Sequence, residues 1–465
     1  MTHRALLAAA LLSILVAALA ARPHAVPGPH LRDFEAYWAA GATWNAREDA
    51  YSPAIWNAER VVPGVDARRD EILPFVGPPA TLLAWSLFAR LPYATAASLW
   101  SAFEVAAAIA LVAGVALGSH ARMDLFTLAA VTALGLACAP VSSAIVLGQL
   151  ALPAFAAAAL LVPLASRSLF AAAAAAIIAF AQPNASLGLL SQLGRNRITI
   201  ALACAALASY ALGAVAAGWG WPAAYARIVA AQLAAERFDA IQLTPAAIAY
   251  GFGAAPAQAR LIGLAVAALA IVAAVLIAIA VRGRFARFAA FSALVPFVAA
   301  FVHEHDLVVA AAAAPWCALR TRGATRAIAL TGTLLLCVDW LGLAQRPSAA
   351  VQSALLLFAA LAAFASLGET RELRAGAVIG AVVACALAAA VWLAYGHPAP
   401  IWPDALGSFQ APNGASAAAI WSQEQRATGL FAVNPAWAAL RSAPLLGCAL
   451  LAYAIYRRPS RCRTA

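Results

Sequence analysis

The sequence predicts an all-α polytopic membrane protein, a bundle of about 12 to 14 transmembrane helices with a juxtamembrane helix in its first external loop. Three observations carry this. The 465 residues are 65% hydrophobic and only 11% are Asp, Glu, Lys or Arg, where a soluble protein carries about a quarter charged residues. The apolar residues gather in long uncharged runs instead of alternating, and runs of about 17 to 25 such residues span a bilayer as a helix. The basic residues sit mostly in the short segments between runs, where positive charge sets orientation.

In chain order, the candidate spans are 5–21, 74–90, 97–117, 125–146, 150–164, 168–180, 198–217, 259–281, 288–302, 307–319, 327–344, 349–367, 375–395 and 437–456. The first, within MTHRALLAAALLSILVAALAARP, has the basic start, apolar core and Ala-Leu-Ala end of a secretory signal. The many spans that follow favour a membrane anchor. Three long hydrophilic connections stand out, 22–73, 218–258 and 396–436, and a basic tail occupies 457–465. The whole chain, 1–465, reads as a single integral-membrane domain.

Orientation follows arginine. Arg282, Arg284 and Arg287 form one cluster, Arg320, Arg322 and Arg326 a second, Arg371 and Arg374 a third, and Arg457, Arg458, Arg461 and Arg463 fill the tail. Placing these in the cytoplasm puts 218–258, the turn at 303–306 and 396–436 on the external face. Arg4 puts the N-terminus inside, so 22–73 is external and both termini are cytoplasmic. Between 74 and 197, Arg90, Arg122, Arg167, Arg195 and Arg197 cannot all be inside with full-length spans. Short or re-entrant helices are expected there, around Pro140 and Gly148. Such backbone is tolerated at membrane depth only where protein or a wet cavity covers it.

The net charge is +11 and no lysine occurs. With the heavy alanine content, this is the usage of a high-GC coding sequence, and arginines in short loops call for a lipid bilayer and no nucleic acid as partner. Cys138, Cys204, Cys317, Cys337, Cys385 and Cys448 lie in apolar runs and Cys462 in the tail. No disulfide framework or Cys/His metal cluster is implied.

Ionisable or amide side chains in or beside apolar segments need a reason, and four places qualify. The first is LRDFEAYWAAGATWNAREDAYSP, residues 31–53. On a helix, Asp33 shares a face with Tyr37, and Phe34 with Trp38. This describes a helix on the external surface with aromatics at the interface. Asp33 is then either its N-cap or a catalytic carboxylate at the mouth of a cavity. Glu35 competes, but projects about 200° away around the helix. The second place is FVHEHDL, 301–307. It is a solvated turn, a weak HxH chelate completed by Glu304 or Asp306, or a polar cluster whose His303 and His305 meet an anionic group. Without a third spaced ligand, no metal is expected. The third is Gln149 beside Gly148, in VLGQLALP. The fourth is FAQPNASLG, where Pro183 separates Gln182 from Asn184. Either amide reads as interhelical glue or as a ligand contact. Glu104 is a further intramembrane acid, suited to pairing with an arginine.

The order of these pieces resembles glycosyltransferase family 87, integral-membrane enzymes of the GT-C superfamily that include polyprenyl-phosphate-mannose-dependent α-mannosyltransferases. Asp33-Phe34, Tyr37-Trp38 and Asp49-Ala50-Tyr51-Ser52-Pro53 resemble the family's first external loop. LPFVGPPATLLAW (73–85) is similar to the start of its second span. Gly148-Gln149 resembles its Gly-Gln motif, and His303-Glu304-His305-Asp306-Leu307 its late His/Asp motif. The likeness covers about residues 5–320. Ala46 and Ala50 stand near positions where the family often has Gly and Pro. Gln182-Pro183 stands where a Lys-Pro is usual, which removes a fixed positive charge.

The resemblance implies a GT-C-like bundle in a bacterial inner (plasma) membrane whose active site faces the periplasm or exterior. It implies an inverting transfer of a sugar, mannose as the first candidate, from a polyprenyl-phosphate sugar donor to a glycolipid, glycan or other acceptor. Asp33 would be the general base. Arg32, Tyr37, Gln149, Gln182, Asn184, His303, His305 and Asp306 would contact donor phosphate or substrate, with no cofactor and no metal. Two other classes stay open. A secondary transporter also has broken helices and polar residues at depth, although no internal repeat is visible here. A lipid-linked glycan ligase, polymerase or flippase has similar size. Ligases of that kind usually use arginines in a large late external loop, where 396–436 offers only Arg426.

Overall fold

The computed structural model describes residues 3–21, 28–194, 196–368 and 373–457. Arg195, Arg371, Arg458, Arg461, Cys462 and Arg463, the first residues of the 22–73 loop (22–27) and the Arg4 side chain lie outside the described residues. The structure is 75% helical, with no strand among the described residues. It is an all-α, multi-pass membrane protein.

Among the described residues, six helices are long and apolar enough to cross a membrane: Tyr93–Ser119, Arg197–Ala217, Pro256–Ala280, Ala349–Ser366, Arg374–Gly396 and Pro435–Arg457. Leu125–Leu136 and Ala139–Leu147 make a seventh if the pair, bent by 67°, is one span. Of the 12 to 14 expected spans, these are the ones with the length of a full crossing. The other apolar runs fold as shorter helices, among them Pro79–Phe88, Ala151–Leu164, Leu169–Phe180 and Gly323–Leu336. At 14 residues, Ala151–Leu164 reaches about 21 Å, short of a hydrocarbon core of about 30 Å. It is buried on nearly every side, packed between Tyr93–Ser119 and Leu169–Phe180. Its alanines let neighbouring backbones approach closely, which is how helices associate without a hydrophobic drive between them. Hydropathy counts apolar side chains and cannot tell whether lipid or protein covers them.

The broken backbone expected around Pro140 and Gly148 is present. The bend comes just before Pro140, which occupies the first turn of Ala139–Leu147, where its missing N–H leaves no bond unmade. That helix ends at Gly148 in the left-handed region, φ +73°. The predicted span 307–319 is replaced by a tight helical turn, Glu304–Ala310, and a short helix, Ala313–Arg320. Every residue from Leu307 to Ala314 is buried. Of the three alternatives for 303–306, the solvated turn is set aside, because Glu304, His305 and Asp306 are all buried. Glu104 meets no arginine among the described residues. Both its carboxyl oxygens are buried without a hydrogen-bond partner.

The three long hydrophilic connections pack on one another. The Asp70 N–H donates to Phe409 O at 3.1 Å, and Ala240 N–H to Leu430 O at 2.8 Å. The Ile72 N–H donates to the Glu424 carboxylate at 2.8 Å, and the Tyr225 hydroxyl to Val76 O at 2.9 Å. The helix Arg32–Asn45 lies within this assembly, with aromatics expected at an interface packed against protein. Phe34 is 0% exposed, stacked on Trp100 at 5.5 Å and ringed by Trp85, Phe88 and Tyr93. Aromatic clusters of this kind add to the burial energy through edge-to-face and stacked contacts. Asp33 does not cap the helix. Leu31 holds the N-cap position, at φ 55° and with no side-chain cap bond, pinned by the Tyr93 hydroxyl donating to its carbonyl at 3.1 Å.

Candidate functional site

A cavity of about 540 Å³ lies where the loop assembly meets the broken helices, and Arg32, Asp33, Tyr37, Gln149, Gln182, Asn184, His303 and His305 all line it. Of the nine residues expected to act on or contact substrate, Asp306 alone stands behind the wall, bonded to two that form it.

Asp33 is the centre of the arrangement. Its side chain keeps 20% exposure, while Glu35, on the far side of the same helix, is fully buried. Asp33 Oδ2 accepts from Gln149 Nε2 at 2.5 Å, and Gln149 Oε1 accepts from the Tyr37 hydroxyl at 2.7 Å. Burial, with the Asp33 charge adding, raises the Tyr37 phenol well above its usual range, so it remains a donor. Tyr37 is held by stacking on Trp85 at 4.8 Å.

Gly148 places Gln149 in this chain. A Cβ there would lie 2.8 Å from the Phe34 Cβ and 2.9 Å from the Leu31 Cβ, and the Gly148 carbonyl accepts from Trp100 Nε1 at 2.8 Å. The left-handed backbone and the close approach both require glycine. Gly148→Ala is expected to destabilise the protein by about 1 to 3 kcal/mol and to weaken the Gln149–Asp33 bond. A lowered melting temperature in detergent checks it, and an unchanged one would contradict it.

The 301–307 segment closes the other side. His305 Nδ1 is 4.0 Å from Asp33 Oδ2, and His305 Nε2 is 3.9 Å from Asp306 Oδ2. Asp306 accepts from the His303 backbone N–H at 2.9 Å and from Gln182 Nε2 at 3.3 Å. Asn184 donates to Phe301 O at 2.8 Å, which fixes the same segment. The two imidazoles, 5.4 Å apart, are pushed in opposite directions. Burial lowers His305 to about 3, with the neighbouring His303 adding and Asp33 opposing, so it is neutral. Burial also works against charge on His303, but its hydrogen bond to Glu236 and that carboxylate's charge, with Asp306 and Asp33, outweigh burial and raise it. The site therefore sets an imidazole on which charge is favoured beside one on which charge is disfavoured, next to Asp33.

Glu236 was not singled out from sequence. Its Oε2 lies 3.1 Å from His303 Nε2, and it accepts from Gln232 at 2.7 Å and from Gln242 at 2.9 Å. Gln232 and Glu236 are four apart on the helix Trp221–Glu236, the spacing that puts two side chains on one face. That signal is weak in a loop already rich in polar residues. Glu304 also lines the cavity, and burial, with Asp339 adding, raises its carboxyl well above the usual range.

Arg32 fits its expected contact with donor phosphate least well. Its guanidinium lies 3.0 Å from Glu35 and 3.3 Å from Glu71 and over the Trp402 ring at 4.4 Å. Its charge is already shared by two acids. For metal binding, His303, His305 and Asp306 can bring three ligand atoms within 4.8 Å of one another. As they stand, the Asp306 oxygens and His303 Nε2 serve the hydrogen bonds above.

No protein-family model, curated protein or solved structure matches the chain.

Proposed function

We propose that this cavity transfers a sugar, mannose as the first candidate, from a polyprenyl phosphate to an acceptor hydroxyl on a glycolipid, glycan or other molecule. The membrane is a bacterial inner membrane and the site opens to its external face. One observation carries the reading: a partly exposed carboxylate, Asp33, sits in a cavity beside a hydrogen-bonded amide and two imidazoles shifted in opposite directions. A hydroxyl is a poor nucleophile at neutral pH, and a carboxylate that takes its proton during attack contributes about 10² to 10⁴ in rate. Asp33 is that base. The acceptor oxygen forms a bond to the anomeric carbon as the bond from that carbon to the phosphate oxygen breaks. The polyprenyl phosphate leaves as an anion, met by the His303 imidazolium, and the proton on Asp33 passes to water. One base with no nucleophilic partner gives a single displacement, with inversion at the sugar carbon. Departing phosphate is stabilised most by donors already in position, which the Glu236 bond to His303 supplies. Gln149 holds Asp33 and Gln182 holds Asp306, which makes both amides positioning residues.

A secondary transporter is the second reading, favoured by the bend of 67° between the helices of the broken pair. A late-loop arginine site is not supported, because Arg426 stacks on Phe431 at 4.7 Å and is outside the cavity lining. Membranes containing the protein, incubated with radiolabelled polyprenyl-phosphate sugars, are expected to move label into an extractable glycolipid or glycan. Loss of donor label only by carriage across the membrane would favour the transporter.

A further inference from the structure

The last long connection, 396–436, contributes Ile401, Trp402, Trp421 and Gln425 to the cavity. It stands next to the proposed base, since Arg32, the neighbour of Asp33, lies over the Trp402 ring at 4.4 Å. It is also built to hold its shape. Glu424 accepts from Ile72 N–H at 2.8 Å and from Trp402 Nε1 at 2.9 Å. Asp70 accepts from Ala411 N–H at 2.8 Å, and Trp421 meets Trp402 edge-on at 4.9 Å.

Within this ordered wall, polar atoms are left over. Gln425 is 0% exposed, and neither its amide nitrogen nor its amide oxygen has a hydrogen-bond partner. The buried indole N–H of Trp421 has none either. Buried polar groups are normally satisfied. Two unmatched donor groups and one unmatched acceptor, together beside a cavity, call for a ligand that supplies both kinds of partner. Aromatic rings on the same wall suit a ligand with an apolar face.

The charge balance narrows the class. The cation that lies over the Trp402 ring, Arg32, is already paired with Glu35 and Glu71. A cation finds the nearby carboxylates already engaged: Glu35 and Glu71 face Arg32, and Glu424 accepts from Ile72 N–H and Trp402 Nε1. A hydrocarbon chain would leave the amide and indole unmet. A pyranose fits: its hydroxyls both donate and accept, and its C–H face packs on a ring.

We propose that Trp402, Trp421 and Gln425 form a subsite for a neutral sugar ring, the acceptor's terminal residue, presented to Asp33. This rests on the glycosyl-transfer reading of the same cavity and adds the acceptor's chemical class. The test uses the full chain in nanodiscs with no donor present. Saturation-transfer difference NMR is recorded with methyl α-mannopyranoside, methyl β-glucopyranoside and methyl β-galactopyranoside as probes. At least one probe is expected to show saturated ring protons with the wild type. Binding is expected to weaken about tenfold in Gln425→Leu, which keeps the volume, and in Trp421→Phe, which keeps a ring but removes the N–H. Unchanged melting curves identify the variants that remain folded. The proposal is overturned if no probe binds the wild type, or if a folded Gln425→Leu or Trp421→Phe binds as the wild type does. The transfer reading fails separately: Asp33→Asn with undiminished transfer would refute it while leaving the subsite intact.

Discussion

Replacing Asp33 with asparagine is expected to lower sugar transfer by about 10² to 10⁴-fold while the protein stays folded. Asparagine has nearly the same shape and keeps an oxygen that can accept from Gln149 Nε2, the bond now 2.5 Å long. What it lacks is a site for the acceptor's proton. Asp33 makes no cap bond in its helix, whose N-cap is Leu31, and its side chain stays 20% exposed, so its charge does little for stability. Melting temperature and transfer rate, measured on one preparation, separate the two roles. A large fall in melting temperature with transfer intact would make Asp33 structural.

Glu236→Gln is expected to act through His303 and to depend on pH. Burial works against the wild-type imidazole's charge, but the hydrogen bond and negative charge of Glu236 favour it and raise His303 above its ordinary value. It is therefore charged below that raised value and loses its proton as pH rises through it. The glutamine removes the negative charge yet still accepts from neighbouring amides, so His303 titrates lower. The alkaline limb of the rate profile should move to lower pH. Where wild-type His303 is charged and the variant's is not, the rate should fall on the order of 10², the usual effect of losing one preorganised donor to a developing anion. The acid limb belongs to other groups and should not follow. An unshifted alkaline limb would show that His303 does not assist the leaving phosphate.

Much of this site was legible as polar residues standing where they are expensive. Asp33, Gln149, Gln182 and His305 interrupt or border apolar runs, and the structure gathers them around one cavity. Glu236 and Gln425 were not legible. Each lies in a long polar connection, where one more glutamate or glutamine carries no contrast, and only the fold brings them to the cavity wall. The all-α membrane class followed from composition. The length of the individual helices did not, because Ala151–Leu164 and the segment 307–314 are apolar for protein neighbours. The helix at Arg32–Asn45 was foreseen, but its depth was not. Phe34 and Trp38 have the spacing of an interfacial belt, and the same spacing serves the packed cluster with Trp85, Tyr93 and Trp100.

The most direct measurement is release of polyprenyl phosphate by purified protein in nanodiscs given a polyprenyl-phosphate sugar and membrane-extracted acceptor lipids, wild type beside Asp33→Asn. Donor binding is measured for both. The wild type should release the lipid phosphate in step with sugar transferred, and the variant should bind donor equally and release almost none. Equal release from the two proteins, or a wild type that binds donor and never parts it from its sugar, would contradict the assignment of Asp33 as the base.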